Sequence, residues 1–479
     1  MGQSRLEEIR QIRTEKLQKL RDLGVDPYPA KFSKSRVDIS RALGSLGKNV
    51  AVAGRVWRWR EHGNVVFADL KDSSGQIQIM FNTQTLADKW PVIKLLDVGD
   101  FLGVAGKIVK TQAGEVTVDV SSFELLTKSL HPLPDDWHGL KDIEERYRQR
   151  YVDLLLNQPA RQVFLTRTEI VKFLRRYLDE HGFIEVETPI LQSIYGGASA
   201  KPFTTHHQAL DTDFYLRISD ELYLKRLVVG GFDKVYELGK DFRNEGMDRA
   251  HNPEFTMLEF YWAYADYQEL MKFTETMLSQ LVKELKIATD IDFTPPWPRI
   301  SYRDAILKHA GIDINQADTA AKLLKLIKRK NIKLNLEEVG FGTLLDILYK
   351  QTTRPHLIGP LFLTDRPTEF VTLAKRLPHD PSKTASFQLL IKGEEVINAY
   401  NELNDPIDQA DRWRESEKLA AKGQEEHEAF DADYIRALEY GMPPTAGWGM
   451  GIDRLTALLT GQSTLKDTIL FPTLRPEKQ

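Results

Sequence analysis

The run Lys234–Tyr267, KVYELGKDFRNEGMDRAHNPEFTMLEFYWAYADY, gathers more chemically capable side chains than any other stretch of the chain. Val235, Tyr236 and Leu238 lead into a charged loop. Phe255, Met257, Glu259 and Tyr261 leave it with the period of two that puts alternate side chains of a strand on one face. Phe255, Glu259 and Tyr261 then point the same way, with Arg243, Glu245 and His251 close by. An aromatic ring, two carboxylates and two cations able to face phosphate would share one surface. A solvated hairpin laced with salt bridges is the competing reading of any charged loop. The apolar strands on both sides favour a site.

Phosphate binding by a familiar loop is not on offer. Gly-Lys pairs occur at 48–49, 106–107 and 239–240, but none has the upstream Gly and following Ser or Thr of a Walker A loop. Gly447, Gly449 and Gly451 are spaced GxGxG with no βαβ unit around them. They read better as a close-packed segment before a helix beginning near Ile452. Arg454 would then sit in the first turn, where the positive end of a helix supports an anion site.

Three segments in order carry a family resemblance. FRNEG followed by HNPEFTMLEFY resembles motif 2 of the class II aminoacyl-tRNA synthetases, Gly182–Pro189 (GFIEVETP) resembles motif 1, and Gly447–Arg454 (GWGMGIDR) resembles motif 3. With ELYLKRLVVGG, YADY and ELND, the text from about Ser4 to Pro476 is similar to the lysyl-tRNA synthetase family. That resemblance implies ATP and Mg2+, L-lysine and tRNA(Lys) as ligands, and, through motif 1 around Pro189, a homodimer. It assigns Arg243 to the α-phosphate and the amino-acid carboxylate. Glu245 would read the adenine, Phe255 would stack on it, and His251 and Asn252 would lie along the nucleotide, with His251 near its β/γ-phosphates. Gly451 and Arg454 would close the opposite side, and Arg243 and Arg454 would be the catalytic cations. Activation needs no protein nucleophile, because the substrate carboxylate attacks the α-phosphate; catalysis reduces to positioning and charge neutralisation.

A lysine side chain presents an ammonium on a long apolar stem, so its pocket should supply buried acids and an aromatic wall. Glu221 in ISDELYLKR, Glu259 with Tyr261, and Glu402 with Asn398 and Tyr400 in NAYNELND meet that need. By resemblance Glu221 takes the α-amino group, Glu402 and Tyr261 take the ε-ammonium, and Gly197 belongs to the loop over the substrate. An aspartate-activating relative would instead need a cation facing the side chain.

The chain departs from the family pattern twice. Ser219-Asp220 stands where Pro commonly precedes the pocket Glu, which frees φ and adds a carboxylate. Gln388 stands at one of the two carboxylate positions for magnesium, leaving Glu395 as the charged ligand. If Lys392-Gly393 forms a two-residue turn, Ile391 pairs with Glu394 and Gln388 shares a face with Glu395. Asn398, Tyr400 and Glu402 then have the opposite parity, so a bulge between 395 and 398 is required for all five to line one site.

These residues must be held by elements that the rest of the sequence outlines. The 479 residues suggest two to four domains, and a composition of 42% hydrophobic and 28% charged residues is that of an ordinary globular chain. Without cysteine there is no disulfide, thiolate metal site or cysteine nucleophile. A net charge of −4 argues against a protein that coats DNA or other nucleic acid non-specifically, while leaving room for a local basic face. Neither a signal peptide nor a long apolar run is visible, so a soluble, cytoplasmic protein without a membrane is expected.

Residues 1–45 read as an N-terminal helical extension; between 5 and 22 it carries six basic and four acidic residues and an apolar stripe of Leu6, Ile9, Leu17 and Leu20. Packing through that stripe and a solvated helix are both compatible with it. Residues 46–130 hold five short alternating runs, VAVAGRVWRW to GEVTVDVSSFELL, suggesting a small OB-type barrel, with an SH3-like barrel as the structural alternative. By resemblance Arg60, Phe67, Gln78 and Glu115 in this domain read the anticodon; Phe67 as barrel core is the plain alternative. A proline-bearing linker at 131–145 leads to a catalytic domain at 146–479. Its irregular order of helices and strands predicts an α+β fold with an antiparallel sheet flanked by helices, and about 296–385 reads as a helix-rich insertion. Two rivals share the catalytic resemblance: a paralogue that transfers lysine to a protein, and a non-catalytic RNA-binding relative.

Overall fold

The computed structural model describes residues 3–134, 140, 142–334, 340–420 and 429–477. It divides into two compact units, Met1–Gly139 and Leu140–Gln479.

In the first unit, five strands, β1 (Asn49–His62), β2 (Val65–Lys71), β3 (Gln76–Asn82), β4 (Phe101–Lys110) and β5 (Val116–Thr127), pair in the order β1-β2-β3-β5-β4. The ladder returns from β4 to β1, so each strand has a partner on both sides, and only β3 and β5 run parallel. Alternate residues such as Val52, Val56, Ala68, Leu70, Ile79 and Val104 fill the interior, as the period-2 text requires. The helix Gln3–Asp22 is packed, not free: Leu20 joins the barrel core, and the buried Arg13 guanidinium donates to the carbonyls of Val98, Ser129 and His131 at 3.0, 3.2 and 2.9 Å. Burying one leucine is worth about 1.5–3 kcal/mol. An exposed ion pair rarely exceeds about 1 kcal/mol, so the buried leucines and the buried Arg13 set the helix position, and its surface charges do not.

The second unit is built on eight strands: β6 (Ile184–Glu185), β10 (Lys234–Phe242), β11 (Glu254–Ala263), β12 (Arg299–Ser301), β13 (Leu361–Thr364), β16 (Ser386–Ile391), β17 (Glu394–Asn401) and β18 (Thr445–Gly451). Their order is β12-β13-β16-β17-β18-β11-β10-β6. Smaller sheets are formed by β7 (Leu191–Gln192), β8 (Thr204–His207) and β9 (Thr212–Leu216), and by β14 (Arg376–Leu377) with β15 (Asp380–Thr384). One face of the large sheet is apolar and is covered by the helices Gln158–Glu180, Tyr267–Glu284 and Ile452–Leu459. There Phe260 stacks on Trp448 at 4.7 Å, and Trp448 Nε1 donates to Thr274 Oγ1 at 2.9 Å. The other face carries the polar half of the same strands.

The structure corrects the expected sheet: it is mixed, because β12 pairs parallel with β13 and β10 parallel with β6 at the two edges, around an antiparallel centre. The segment 296–385 combines helices with strands. It holds the helices Tyr302–Ala310, Ala320–Arg329 and Phe341–Thr352, but also gives β12 and β13 to the main sheet. Strands of three and four residues carry too little periodicity to be read beside three amphipathic helices. Residues 335–339 of that segment, and 135–139 and 141 of the expected linker, lie outside the described residues. Two short helices, Ile143–Arg148 and Arg150–Leu156, parted at Gln149, precede the long helix Gln158–Glu180.

Candidate active site

Two cross-strand rows make the polar face a pocket. Glu259 on β11 lies opposite Gly449 on β18, and Gly449 opposite Asn398 on β17, which faces Gln388 on β16. In the next row Tyr261 lies opposite Gly447, and Gly447 opposite Tyr400. The glycines leave the room between these side chains. A Cβ on Gly447 would stand 2.0 Å from Glu402 Oε1 and 2.6 Å from the Tyr261 ring, so no other residue fits there. The resulting cavity, about 400 Å3, is lined by Gly197, Glu221, Arg243, Glu245, His251, Asn252, Phe255, Glu259, Tyr261, Glu395, Asn398, Tyr400, Glu402, Gly451 and Arg454. All the residues expected for lysine and ATP therefore border one space. The anticipated bulge is present: Leu390 pairs with Glu395 but Leu389 with Ile397, and Val396 is the extra residue that brings Glu395 onto the face of Asn398.

One end of the cavity is acidic and buried. Tyr400 Oη donates to the Glu221 carboxylate, 2.7 and 2.8 Å from its oxygens, while Tyr261 Oη and Ser219 Oγ each lie 3.4 Å from a Glu259 oxygen. Lys225 Nζ, one turn along the helix Glu221–Val229, donates to Glu221 and is in ion-pair contact with Glu402. The Glu402 contact is not aligned as a hydrogen bond, and both Glu402 oxygens lack another donor among the described residues. Burial pushes Glu259 and Glu402 well above the ordinary carboxylate range, aided by neighbouring acids, and it raises Tyr261 and Tyr400 in the same way. Burial alone would lower Lys225, but Glu221 and Glu402 outweigh it and hold it well above its usual value. An acid-rich end of this kind is complementary to ammonium groups. Gly197, at φ +82°, turns over it against Ser219 and Glu221.

Beneath Glu259 lie Asp220 and Asp241, both fully buried, with one oxygen from each of the three acids within 4.8 Å of the others. Burial raises Asp220 well above the usual range, with Asp241 and Glu259 adding to it, and raises Asp241 as well. Arg217 Nε stands 3.1 Å from Asp241 Oδ1 but is not aligned to bond it; the guanidinium instead donates to Glu237, and to Lys240 O at 2.9 Å. Carboxyl groups so close and so short of donors share protons. The departure at Asp220 thus faces the floor beneath Glu259.

The other end is cationic and open. Arg243 lies 5.0 Å above the Phe255 ring and donates to Ile218 O at 3.3 Å. Glu245 and His251 are exposed, and His251 Nδ1 meets Asp248 at 2.9 Å. Asn252 Nδ2 donates to Glu254 O at 2.6 Å, leaving its Oδ1 without a donor. Gly451 caps the helix Ile452–Leu459, and Arg454 in its first turn donates to Glu395 O. Gln388 Nε2 donates to Glu395 Oε2 at 2.6 Å, so the amide is a donor towards the one carboxylate that could hold a hard cation. Sequence reasoning missed Asp453, which accepts from Thr256 N at 2.8 Å and from Arg167 at 2.6 Å and so pins this helix to β11. It also missed Lys225, whose spacing of four from Glu221 in ELYLKR was the available signal.

On the barrel, the register sets Arg60 opposite Phe67 and Asp69 opposite Gln78. Arg60 pairs with Asp69 at 2.9 Å, and Gln78 donates to Glu115 at 2.8 Å and accepts from Thr117. Phe67 is half-buried, 6.2 Å edge-on from His62, and lies outside the interior cluster. None of these four residues lines the cavity, and Arg60, Phe67 and Gln78 share one face of the barrel strands.

An antiparallel centre carrying a motif-2 hairpin and a glycine-lined third motif, joined in one chain to a five-stranded barrel, is the layout of a class II synthetase. Residues 142–475 match the family model for tRNA synthetases class II (D, K and N), and residues 50–126 match that for the OB-fold nucleic acid binding domain. Lysine–tRNA ligase of Pelotomaculum thermopropionicum is 46% identical, over 99% of this chain and 96% of its own. The proteins of that name from Carboxydothermus hydrogenoformans and Thermoanaerobacter sp. are 47% identical, over 99% and 98% of this chain and 100% and 97% of theirs. The chain belongs to the lysine–tRNA ligase family of class II tRNA synthetases.

Proposed function

We propose that the chain activates L-lysine with ATP to lysyl-adenylate and pyrophosphate, then transfers lysine to the 3′ end of tRNA(Lys). The observation that carries this reading is the buried acidic end of the cavity, bordered by Glu221, Glu259 and Glu402, where the Glu402 oxygens have, among the described residues, only the unaligned contact with Lys225. A lysine ε-ammonium supplies the missing donor, held by Glu402 and Tyr261, while Glu221 and Glu259 face the α-amino group. Asn398, Tyr400 and Gly197 border the stem. Arg243 then holds the α-carboxylate against the α-phosphate, so attacker and target lie in line and the charge that develops meets a fixed cation.

Phe255 stacks on the adenine, with Glu245 at its edge. His251 and Asn252 run along the phosphates, and Arg454 with Gly451 closes the far side. Glu395 is the residue that would hold magnesium, with phosphate oxygens and waters completing the shell. Gln388 fits less well, because its amide donates to Glu395 instead of offering a charged oxygen. The ion supplies charge neutralisation of the triphosphate when bound.

The barrel face of Arg60, Phe67, Gln78 and Glu115 reads the anticodon, Phe67 by stacking and the polar residues at base edges. Ile184, Ile190, Leu191 and Ile194, which flank Pro189 in sequence, are exposed, and a second copy covers them in a homodimer. Among the described residues no helix is long and apolar enough to cross a membrane. Work in the cytoplasm is part of the proposal, since tRNA charging serves translation. Lysine-dependent ATP–pyrophosphate exchange followed by charging of tRNA(Lys) tests the function. Exchange without charging would favour a lysine-transferring paralogue, and neither would leave an RNA-binding relative.

A further inference from the structure

Lys225 has no solvent exposure and does not border the cavity, yet it touches two of the acids that do. Glu221 meets it from its own helix, and Glu402 from just beyond β17. Around it stand the Tyr400, Tyr261 and Tyr434 rings, their centres 5.7, 6.0 and 6.0 Å from Nζ. Glu259 faces Glu402 and Glu221 from β11, and the Arg226 guanidinium, engaged with Asp431 at 2.7 Å, lies outside this shell. Glu221 and Glu402 thus share one internal ammonium, while Glu259 borders the same end with Arg243 and Arg217 as its neighbouring cations. Free lysine carries two ammonium groups.

We propose that Lys225 is a specificity-setting positioning residue. It pairs with Glu221 and Glu402 from outside the cavity lining, holds both carboxylates in place, and offsets part of the negative charge that the substrate ammonium groups then meet. The inference rests on the lysine-activation reading above. It differs from a plain core ion pair in what happens when the charge is removed. Without Lys225, Glu402 loses the cation that opposes its proton and holds that proton more tightly, because an unpaired buried carboxylate takes one up. Incoming lysine must then displace that proton. Lysine binding becomes weaker at low pH and recovers as pH rises, so the acidic limb of the lysine affinity profile moves to higher pH.

The test is the KM for lysine and for ATP in pyrophosphate exchange between about pH 6 and about pH 8.5, for wild type, Lys225→Met and Lys225→Arg, with Tm measured for each. The account expects the Met variant to raise the lysine KM about tenfold or more at the acidic end, shrinking towards the alkaline end, as a displacement of the limb by about one pH unit requires. The ATP KM should not follow. The Arg variant keeps the charge and should keep the limb where wild type has it, whatever its absolute KM. A lysine KM raised equally at every pH in the Met variant, in step with lost Tm, would make Lys225 only structural and overturn the proposal. Should the Met variant fail to fold, a displaced limb in the Arg variant overturns it and an undisplaced limb supports it. Absence of lysine-dependent exchange in wild type would overturn the function itself together with this inference, whereas exchange with an undisplaced limb in the Met variant overturns this inference alone.

Discussion

At the amino-acid end of the cavity, Glu221, Glu259, Tyr261, Tyr400 and Glu402 are buried and tied to one another or to Lys225, whereas at the nucleotide end Glu245 and His251 are exposed and Arg243, Phe255 and Arg454 half-buried. The contrast follows from what each end must distinguish. A small side chain is told from its competitors only by buried groups that would be left unpaired by the wrong one. A triphosphate carries enough charge to be held by cations that keep water around them until it arrives. The acid end therefore stores unfavourable electrostatics in the fold, and the cation end stores little.

The largest effect should come where the two ends meet. Arg243→Ala removes the one cation expected to touch both substrates, and pyrophosphate exchange should fall about 10²–10³-fold. Its Tm should stay near wild type, because the half-buried side chain has, among the described residues, one hydrogen bond to a backbone carbonyl and a contact with the half-buried Phe255 ring. Equal loss of Tm and activity would make Arg243 part of the framework. On the acid side, Glu402→Gln keeps the shape but loses the charge, and the lysine KM should rise about ten- to a hundredfold while that for ATP barely moves. An unchanged lysine KM would remove Glu402 from the pocket.

On the first unit, Phe67→Ala should cost about 1–3 kcal/mol of stacking in tRNA charging and leave lysine activation intact. Equal damage to both steps would return Phe67 to the barrel core. At the cation end, Gln388→Glu restores a second carboxylate, so the magnesium concentration needed for half-maximal exchange should drop; no leftward shift would sink the weaker-site reading.

The smallest effect lies under the acid end. Asp220 is held well above the carboxylate range by burial first, then Asp241 and Glu259. Its raised folded value means the folded state binds the proton more tightly. The stability it lends is complete below about pH 4, its unfolded value, and is lost as pH rises through the folded value. Asp220→Asn cannot titrate, so its Tm relative to wild type should improve as pH rises from about 5 to about 8, on the assumption that the amide fits the same space. A constant difference across that range would show that Asp220 carries no bound proton.

Much of this was legible in the sequence because it rests on short-range periodicity. The period-2 run Phe255–Tyr261 gave one face of β11, the parity conflict around Glu395 required a bulge, and the structure supplies it at Val396. The helix start near Ile452 and the five runs of the barrel followed from local text as well. What stayed hidden depends on contacts distant in sequence. Asp453 matters through Arg167, 286 residues earlier, and Lys225 through Glu402, neither of which any local pattern ties together. The mixed sheet was missed for the same reason: β12 and β13 are too short to announce themselves, and only pairing with each other and with β16 makes them strands.

The central claim, that buried acids at one end of the cavity select the amino acid, is tested most directly by ATP–pyrophosphate exchange of the wild-type protein with each of the 20 common amino acids in turn. The account predicts exchange with lysine and background with aspartate, whose side chain brings no donor to Glu402, and with asparagine, whose short amide brings no positive charge. Exchange driven by aspartate or asparagine, with lysine at background, would contradict it.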